Sequence, residues 1–444
     1  MKVHLISPKS PAVCATERDK AIQFSRLSLA TVAAWFPEET NLRIINDNIE
    51  EINFQEKVDL VGITAMTSTA PRAYEIADKF RERGVPVILG GIHPSALPQE
   101  ASQHADSVVI GEAEGVMESL IEDFRKRRLK KFYHSARRPS LMNLPLPRKD
   151  LWQGSKFYRE WNMVQTTRGC PFYCDFCSVT TFFGRTYRTR PVPEVIKEVK
   201  QFPHPSTIFF VDDNLTARPD YARRLFKALT PLKIRWFGQS SITIAKDEEL
   251  LRLASRSGCF GLFIGFESLS STNLKEVGKT SNHVQEYPTA IKKIHDSGIG
   301  VVGAFIFGFD SDDVGVFEET VKFIDKNQLE LASFAILTPL PGTRLYKRME
   351  EEGRIIERDW AKYTCGEVVF RPRLLSVEQL QNGYYWARKQ ISSYASIFKR
   401  TLHLRKSALF SLPVNLLMRR ASRAFLKKSG FKNSSPYLPN SFSL

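Results

Sequence analysis

Twice along this 444-residue chain, over residues 1–125 and again from Met163 to about residue 350, short apolar runs alternate with stretches of helical spacing. A strand that is apolar on both faces must be covered on both faces. A parallel sheet between two layers of helix is the arrangement that does this. The first stretch reads as strands VHLIS (3–7), LRIIND (42–47), DLVGIT (59–64), VPVILGG (85–91) and DSVVIG (106–111). Helices are expected over 22–36, over 70–83 with Thr69 as the N-cap, and from Glu114 onward. This predicts a doubly wound parallel sheet over 1–125. The second stretch reads as strands NMVQTT, TIFFVDD, RWFGQSS, GLFIGFE, GVVGAFIFGF and LASFAIL, separated by helices such as VPEVIKEVKQF and YARRLFKAL. Six β/α units predict a partial (β/α)6, TIM-like barrel over 160–350. Between the two, residues 126–159 are first basic and then proline-rich, as a linker is. Residues 351–444 lose the alternation and read as a helical extension, so the class is α/β in three parts.

Ligands of doubly wound sheets sit at the carboxyl ends of the strands. In the first part those ends are SPKS, TAMTST, GGIHPS and GEAEG, which are small and polar. None is a G-x-G-x-x-G fingerprint, which argues against a plain nicotinamide domain. The N-terminus lacks the apolar region and cleavage site of a signal peptide, and no run of about 18 apolar residues is present. Six cysteines over this length are no disulfide scaffold. A cytoplasmic protein with reduced thiols is the expectation. The net charge is +16, and no acidic residue follows Glu378, whereas twelve Lys and Arg do. Such a tail attracts polyanions. Few aromatic side chains accompany it as stacking platforms, so nucleic acid is not the expected partner. In 407–428, apolar residues mix with Arg419, Arg420, Arg423, Lys427 and Lys428, which suits peripheral attachment to a membrane. The other reading is a basic helix packed on the barrel, and Pro413 is expected to break any helix early.

Half of the cysteines fall within TTRGCPFYCDFC (166–177), as Cys170, Cys174 and Cys177. A structural zinc site wants four ligands, and no nearby Cys or His completes one. Three thiolates suit an iron–sulfur cubane with one iron open to a substrate's amine and carboxylate. Chance clustering, or zinc with a distant fourth ligand, is the other reading. Cys259 and Cys365 read as structural.

The same stretch resembles the cluster loop of radical S-adenosylmethionine enzymes. The resemblance implies that Cys170, Cys174 and Cys177 hold a 4Fe–4S cluster whose fourth iron is chelated by S-adenosylmethionine. Reduction then yields a 5'-deoxyadenosyl radical that abstracts hydrogen from an unactivated carbon. By the same resemblance Phe176 lies beside adenine. Asp212, Asp213 and Asn214 of VDDN bind the methionine amino group, and Gln239 and Ser240 of GQSS end the third barrel strand. Glu267 points toward ribose or the methionine carboxylate, and Ile306 and Gly308 of GAFIFGF read adenine through the backbone. Taken singly, each has an ordinary reading as a helix cap or as core.

Within residues 1–125, the stretches VGITAMTSTAPRAYEIA, VPVILGGIHPSALPQEA and DSVVIGEAEG resemble the cobalamin-binding domain of the cobalamin-dependent subgroup. That implies corrinoid contacts from Thr64, Thr69, Gly90, Gly91, His93, Gly111 and Glu112. The D-x-H-x-x-G motif that supplies an axial histidine is absent, and His93 also reads as an ordinary loop histidine. The segment after Asp359 resembles the helical extension of subgroup members that act on hopanoid, tetraether and chlorin substrates. The expected function is C-methylation of an unactivated carbon of a small molecule, a lipid or isoprenoid among the options, fed by an external flavodoxin- or ferredoxin-type electron donor. The alternative is a radical oxidoreductase or cyclase, with cobalamin in another role or absent. An iron–sulfur electron carrier is discounted, because three thiolates leave an iron open. RNA methylthiolation is also discounted, because the first domain has only Cys14. No catalytic acid, base or radical-quenching residue is legible.

Overall fold

The computed structural model describes residues 1–11, 27–151, 162–203, 206–401 and 408–431. Strands β1 (Lys2–Ser7), β2 (Asn41–Asn46), β3 (Leu60–Thr64), β4 (Val87–Gly90), β5 (Ser107–Ile110) and β6 (Phe132–His134) form one parallel sheet in the order β2-β1-β3-β4-β5-β6. Successive side chains leave a strand on opposite faces. Ile6, Val61, Ile63, Leu89 and Val108 therefore meet Ala73, Ile76 and Phe80 of the Ala70–Arg81 helix on one side. Val3, Leu5, Leu60, Ile88 and Val109 meet the Leu27–Ala33 and Met117–Arg125 helices on the other. The sheet is covered twice, as its two-sided apolar strands require. The order steps outward from β1 both ways, so the switch point lies beside β1.

Several details differ from expectation. The 126–159 segment contributes β6, a sixth parallel strand at the edge beside β5. Thr69 does not cap its helix through its side chain. Its hydroxyl closes a tight turn back to Met66, accepting from the amide at 3.0 Å. The helix expected from Glu114 starts at Met117, after a 3-10 turn over Ala113–Gly115. Part of the helix expected over 22–36 falls outside the described residues, and its described portion ends at Ala33.

The second sheet comprises β7 (Asn162–Val164), β10 (Thr207–Phe210), β11 (Arg235–Ser240), β12 (Cys259–Glu267), β13 (Gly300–Phe307) and β14 (Leu331–Ile336). All neighbours are parallel, in the order β14-β13-β12-β11-β10-β7. Six strands in simple succession, open between first and last, are the order of a partial barrel. A two-stranded antiparallel ribbon, β8 (Thr167–Arg168) with β9 (Arg188–Thr189), brackets the cysteine loop. The core runs from Val164 through Phe226 and Trp236, which stack at 5.0 Å, to Leu380, Tyr384 and Ala387 of the C-terminal Val377–Ile391 helix. The extension thus shares the barrel's core. Its last helix runs unbroken over Ala408–Lys428 with Pro413 inside it, contrary to the expected early break. Packing on the neighbouring helices outweighs the backbone hydrogen bond that proline removes.

Candidate active site at the junction of the two sheets

The cysteine loop leaves β8 through Gly169, whose φ of +87° is a left-handed conformation that glycine tolerates. A side chain there would also collide with the Thr186 carbonyl. The loop is tied down from the barrel side. Asp175 N–H donates to the Val277 carbonyl at 3.0 Å, Arg344 Nη2 donates to the Tyr173 carbonyl at 2.6 Å, and Arg348 pairs with the Asp175 carboxylate at 3.2 Å. Cys174 is buried, Cys170 and Cys177 are half-buried, and none is in a disulfide. Burial raises all three thiols, Cys174 to about 12, and the nearby Lys279 ammonium opposes that for Cys170 and Cys174. The three thiols lie near enough to one another to disfavour simultaneous ionisation without a compensating cation. Among the described residues, no three His, Cys, Asp or Glu side chains converge on a single-ion site.

The carboxyl ends of β10, β11 and β12 surround this loop. Asp212 is fully buried, and one of its oxygens accepts from the Thr166 amide (3.0 Å), the Thr166 hydroxyl (2.9 Å), the Thr167 hydroxyl (2.6 Å) and the Thr167 amide. It anchors the strand that leads into the loop, while its other oxygen, Oδ2, is buried without a hydrogen-bond partner. Asp213 likewise has a buried Oδ2 without a partner, and it lies within electrostatic reach of Cys170 and Cys177. Burial raises both carboxyls to about 6. Asn214 accepts from the Ser241 amide at 3.1 Å and hydrogen-bonds the Cys170 sulfur. Gln239 is half-buried on β11, and the Ser240 hydroxyl is engaged with Thr216 at 2.5 Å. Glu267 has a φ of +66° at a register shift in β12, and its carboxylate pairs with Lys279 at 2.8 Å.

Phe176 packs on Phe309 at 6.4 Å, and Ile306 is half-buried on β13. At Gly308 one of the two backbone groups is already engaged. Its N–H is not free to read a ligand, because it donates to Asp312 at 2.8 Å. A Cβ there would come within 2.8 Å of Leu380, so packing of the extension also requires the glycine.

The rim of the first sheet faces the same junction. Thr64, Gly90, Gly91 and Gly111 line a cavity of about 320 Å³ that runs down the sheet between Leu5, Gly62 and Val109 and the Leu27–Ala33 helix. On the barrel side Gln165, Arg168, Val211, Phe182 and Phe183 close it. Gly91 has a φ of +104°, and a Cβ would sit 2.7 Å from the Ala65 carbonyl.

Three expected rim contacts are otherwise engaged. Thr69 holds its own turn. His93 is wholly buried, with Nε2 3.1 Å from Glu100 Oε1 and its ring 5.3 Å from Trp360. Glu100 also accepts from Tyr74 at 2.9 Å and from Trp360 Nε1 at 3.1 Å, so His93 belongs to a contact between the first domain and the extension. Glu112 borders the cavity, yet it pairs with Arg168 at 2.8 Å and with Arg188 at 2.6 Å, while Glu114 takes the other Arg168 nitrogen. Both carboxylates are spent on holding the first domain to the ribbon that carries the cysteines.

Lys279, Arg168 and Trp360 were not singled out from sequence. Arg168 stands two positions before Cys170 in the motif itself, a signal that was available. Lys279 and Trp360 depend on contacts between distant segments.

Comparison with known proteins agrees with this layout. Residues 164–324 match the family described as Radical SAM superfamily, residues 27–121 the B12 binding domain, and residues 343–427 a domain of unknown function. The chain is 34% identical over 375 residues to the bacteriochlorophyllide d C-12(1)-methyltransferase of Chlorobaculum tepidum, covering 82% of this chain and 81% of that one. It is 30% identical over 397 residues to the C-8(2)-methyltransferase of the same organism, covering 85% and 87%. The solved structure of the radical S-adenosylmethionine methyltransferase TsrM from Kitasatospora setae superposes with a TM-score of 0.69 over 96% of this chain and 99% of that one. At 14% identity that likeness speaks for the fold alone.

Proposed function

The chain belongs to the cobalamin-dependent radical S-adenosylmethionine enzymes, and from that premise we propose that it transfers a methyl group to an unactivated carbon of a hydrophobic small molecule. The observation that carries the reading is the shared junction. The cavity of the first sheet opens onto Arg168 and Val211, on the segments that lead into the cysteine loop and into Asp213. A methyl donor and a radical source must meet at one substrate carbon, and proximity of this kind supplies much of such a reaction's rate.

The residues present fit the cofactors. Cys170, Cys174 and Cys177 would hold three irons of a 4Fe–4S cluster, whose positive charge offsets the burial that raises their thiols. The unpartnered Asp213 Oδ2 suits the ammonium group of S-adenosylmethionine. The glycine-lined cavity suits the nucleotide tail of cobalamin, with the corrin at the rim of Thr64, Gly90, Gly91 and Gly111. When bound, these groups supply a carbon radical and a methyl donor; orientation and shielding fall to the protein. Phe176, Phe182 and Phe183 would exclude water. Asp212 would hold Thr166 and Thr167, and through them the start of the cysteine loop. Lys279 would hold the Glu267 carboxylate in place beside the thiols through their 2.8 Å ion pair.

A lipid or isoprenoid, or a tetrapyrrole of the kind named for the relatives, fits the hydrophobic substrate class. An external one-electron donor of flavodoxin or ferredoxin type would reduce the cluster, and attachment at a membrane would bring the enzyme to an apolar substrate. The test is anaerobic turnover with methyl-labelled S-adenosylmethionine against a hopanoid, an isoprenoid lipid and a chlorophyllide. Label on carbon in one of them, with 5'-deoxyadenosine, supports the reading. An unlabelled cyclised or dehydrogenated product would favour the oxidoreductase.

A further inference from the structure

The last two helices carry an unusual surface. Within Ala408–Lys428, Asn415, Ser422 and Leu426 turn inward. Asn415 Nδ2 donates to the Glu330 carbonyl at 2.8 Å, and Arg400 beneath it reaches the Leu329 and Glu330 carbonyls at 3.1 Å. Phe425 packs on Tyr385 at 5.8 Å. The inward face is therefore packed against the barrel and the preceding helices, although the Ser411 and Ser422 hydroxyls on it have no partner, and the helix is docked. The outward face bears Leu416 and Leu417, 38% and 46% exposed, then Arg420, Arg423, Lys427 and Lys428, all exposed. Met418 at its edge is also exposed. The preceding helix, Tyr394–Thr401, adds Tyr394 and Phe398, 51% and 42% exposed, with Lys399 beside them. Arg419 joins the two helices by stacking on Tyr394 at 3.8 Å and donating to the Ser392 carbonyl at 2.5 Å.

Exposed aliphatic and aromatic side chains gathered in one place mark an interaction surface. The charge around them selects the partner. From Gln379 to the end of the chain there is no carboxylate side chain to pair with the basic residues. A second copy of this face would bring like charge against like charge, which disfavours self-association. An anionic bilayer complements both features, burying the apolar tips in the interface and the basic groups among headgroups. No helix among the described residues is long and apolar enough to cross a membrane, so the contact is peripheral.

We propose that Tyr394, Phe398, Leu416 and Leu417, ringed by Lys399, Arg420, Arg423, Lys427 and Lys428, form a docking face for an anionic lipid surface. This rests on the reading of a hydrophobic substrate and names the source from which it is taken.

The test is sedimentation of the full chain with phosphatidylcholine vesicles and with vesicles containing phosphatidylglycerol. Wild type is expected in the pellet only with the anionic vesicles, and to be released by high salt. The doubly substituted variants L416S/L417S and R420E/R423E are expected to partition at least tenfold less. The substituted side chains point to solvent, so both variants should fold, and unchanged circular dichroism checks this. No binding by wild type, or equal partition by all three, overturns the proposal. So does a wild-type dimer in gel filtration that L416S/L417S abolishes. Formation of 5'-deoxyadenosine by the same samples reports on the radical chemistry separately, so loss of one readout without the other identifies which reading has failed.

Discussion

Asp312 shows how a single carboxylate can be kept for its shape at an electrostatic cost. It accepts from the Gly308 amide at 2.8 Å, the Phe309 amide at 3.0 Å and Asn273 Nδ2 at 2.7 Å, which fixes the turn after β13. Burial nonetheless outweighs these bonds and raises its carboxyl from 3.8 to about 6. The folded state therefore holds a proton that the unfolded state gives up near pH 4. The stabilisation is complete below that pH and is lost as pH rises through about 6, an amount on the order of 3 kcal/mol. Compared with Asp312→Asn, wild type should lose ground in urea unfolding between pH 4 and pH 6.5; a constant difference would contradict the assignment. At the cysteine loop, Cys170→Ala, Cys174→Ala or Cys177→Ala should each leave a reconstituted protein with depleted iron and without 5'-deoxyadenosine formation, since among the described residues the remaining cysteines, Cys259 and Cys365, lie outside the loop. Near-normal nucleoside production in any of the three would remove that residue from the cluster. These cysteines were legible because their chemistry is carried by spacing. Lys279 was not, because an ordinary GKT tripeptide gives no hint that folding will bury it among Glu267 and two thiols.

The strands were legible for the reason the helices' outward faces were not. A strand covered on both sides must be apolar throughout, and that pattern survives without any knowledge of partners, as in β3, β4, β12 and β13. The three-residue β6 lacks it: FYH alternates exposed, buried, exposed at a sheet edge, and so reads as linker. Pro413 misled for a related cause, since a local rule was overruled by tertiary packing that the local sequence does not contain. Gly383 allows a test of such packing. It lies within the Val377–Ile391 helix, where glycine costs about 1 kcal/mol relative to alanine. A Cβ there would run into the ring of Phe317 on the Val316–Lys326 helix, which is itself fully buried. Overpacking a close helix contact costs about 1–3 kcal/mol, more than propensity returns. Gly383→Ala should thus lower the unfolding midpoint, and Phe317→Leu in the same chain should recover part of the loss. A more stable Gly383→Ala variant would mean that the two helices separate easily.

Across the whole molecule, the chain's two sheets are joined where the chemistry is expected, through Glu112 and Glu114 on one side and Arg168 and Arg188 on the other. Glu112, expected at the corrinoid, borders the cavity of the first sheet and also joins an ion-pair network between the rim of that sheet and the ribbon beside the cysteine loop. Removing one partner of such a buried cluster leaves charge unpaired. Glu112→Ala should destabilise by about 3 kcal/mol, the low end for a broken buried pair because Arg168 retains Glu114. Glu112→Gln, which preserves shape, should cost less, and equal unfolding of wild type and Glu112→Ala would show that the network does not hold the halves together. If the junction works as proposed, both of its halves are loaded at once. Anaerobic reconstitution of the full chain with iron, sulfide and hydroxocobalamin, followed by desalting and quantification of iron, sulfide and corrinoid on the same sample, tests it most directly. One 4Fe–4S cluster and one corrinoid should be retained per chain; a full cluster with no retained corrinoid would mean that the first sheet is not a cobalamin site.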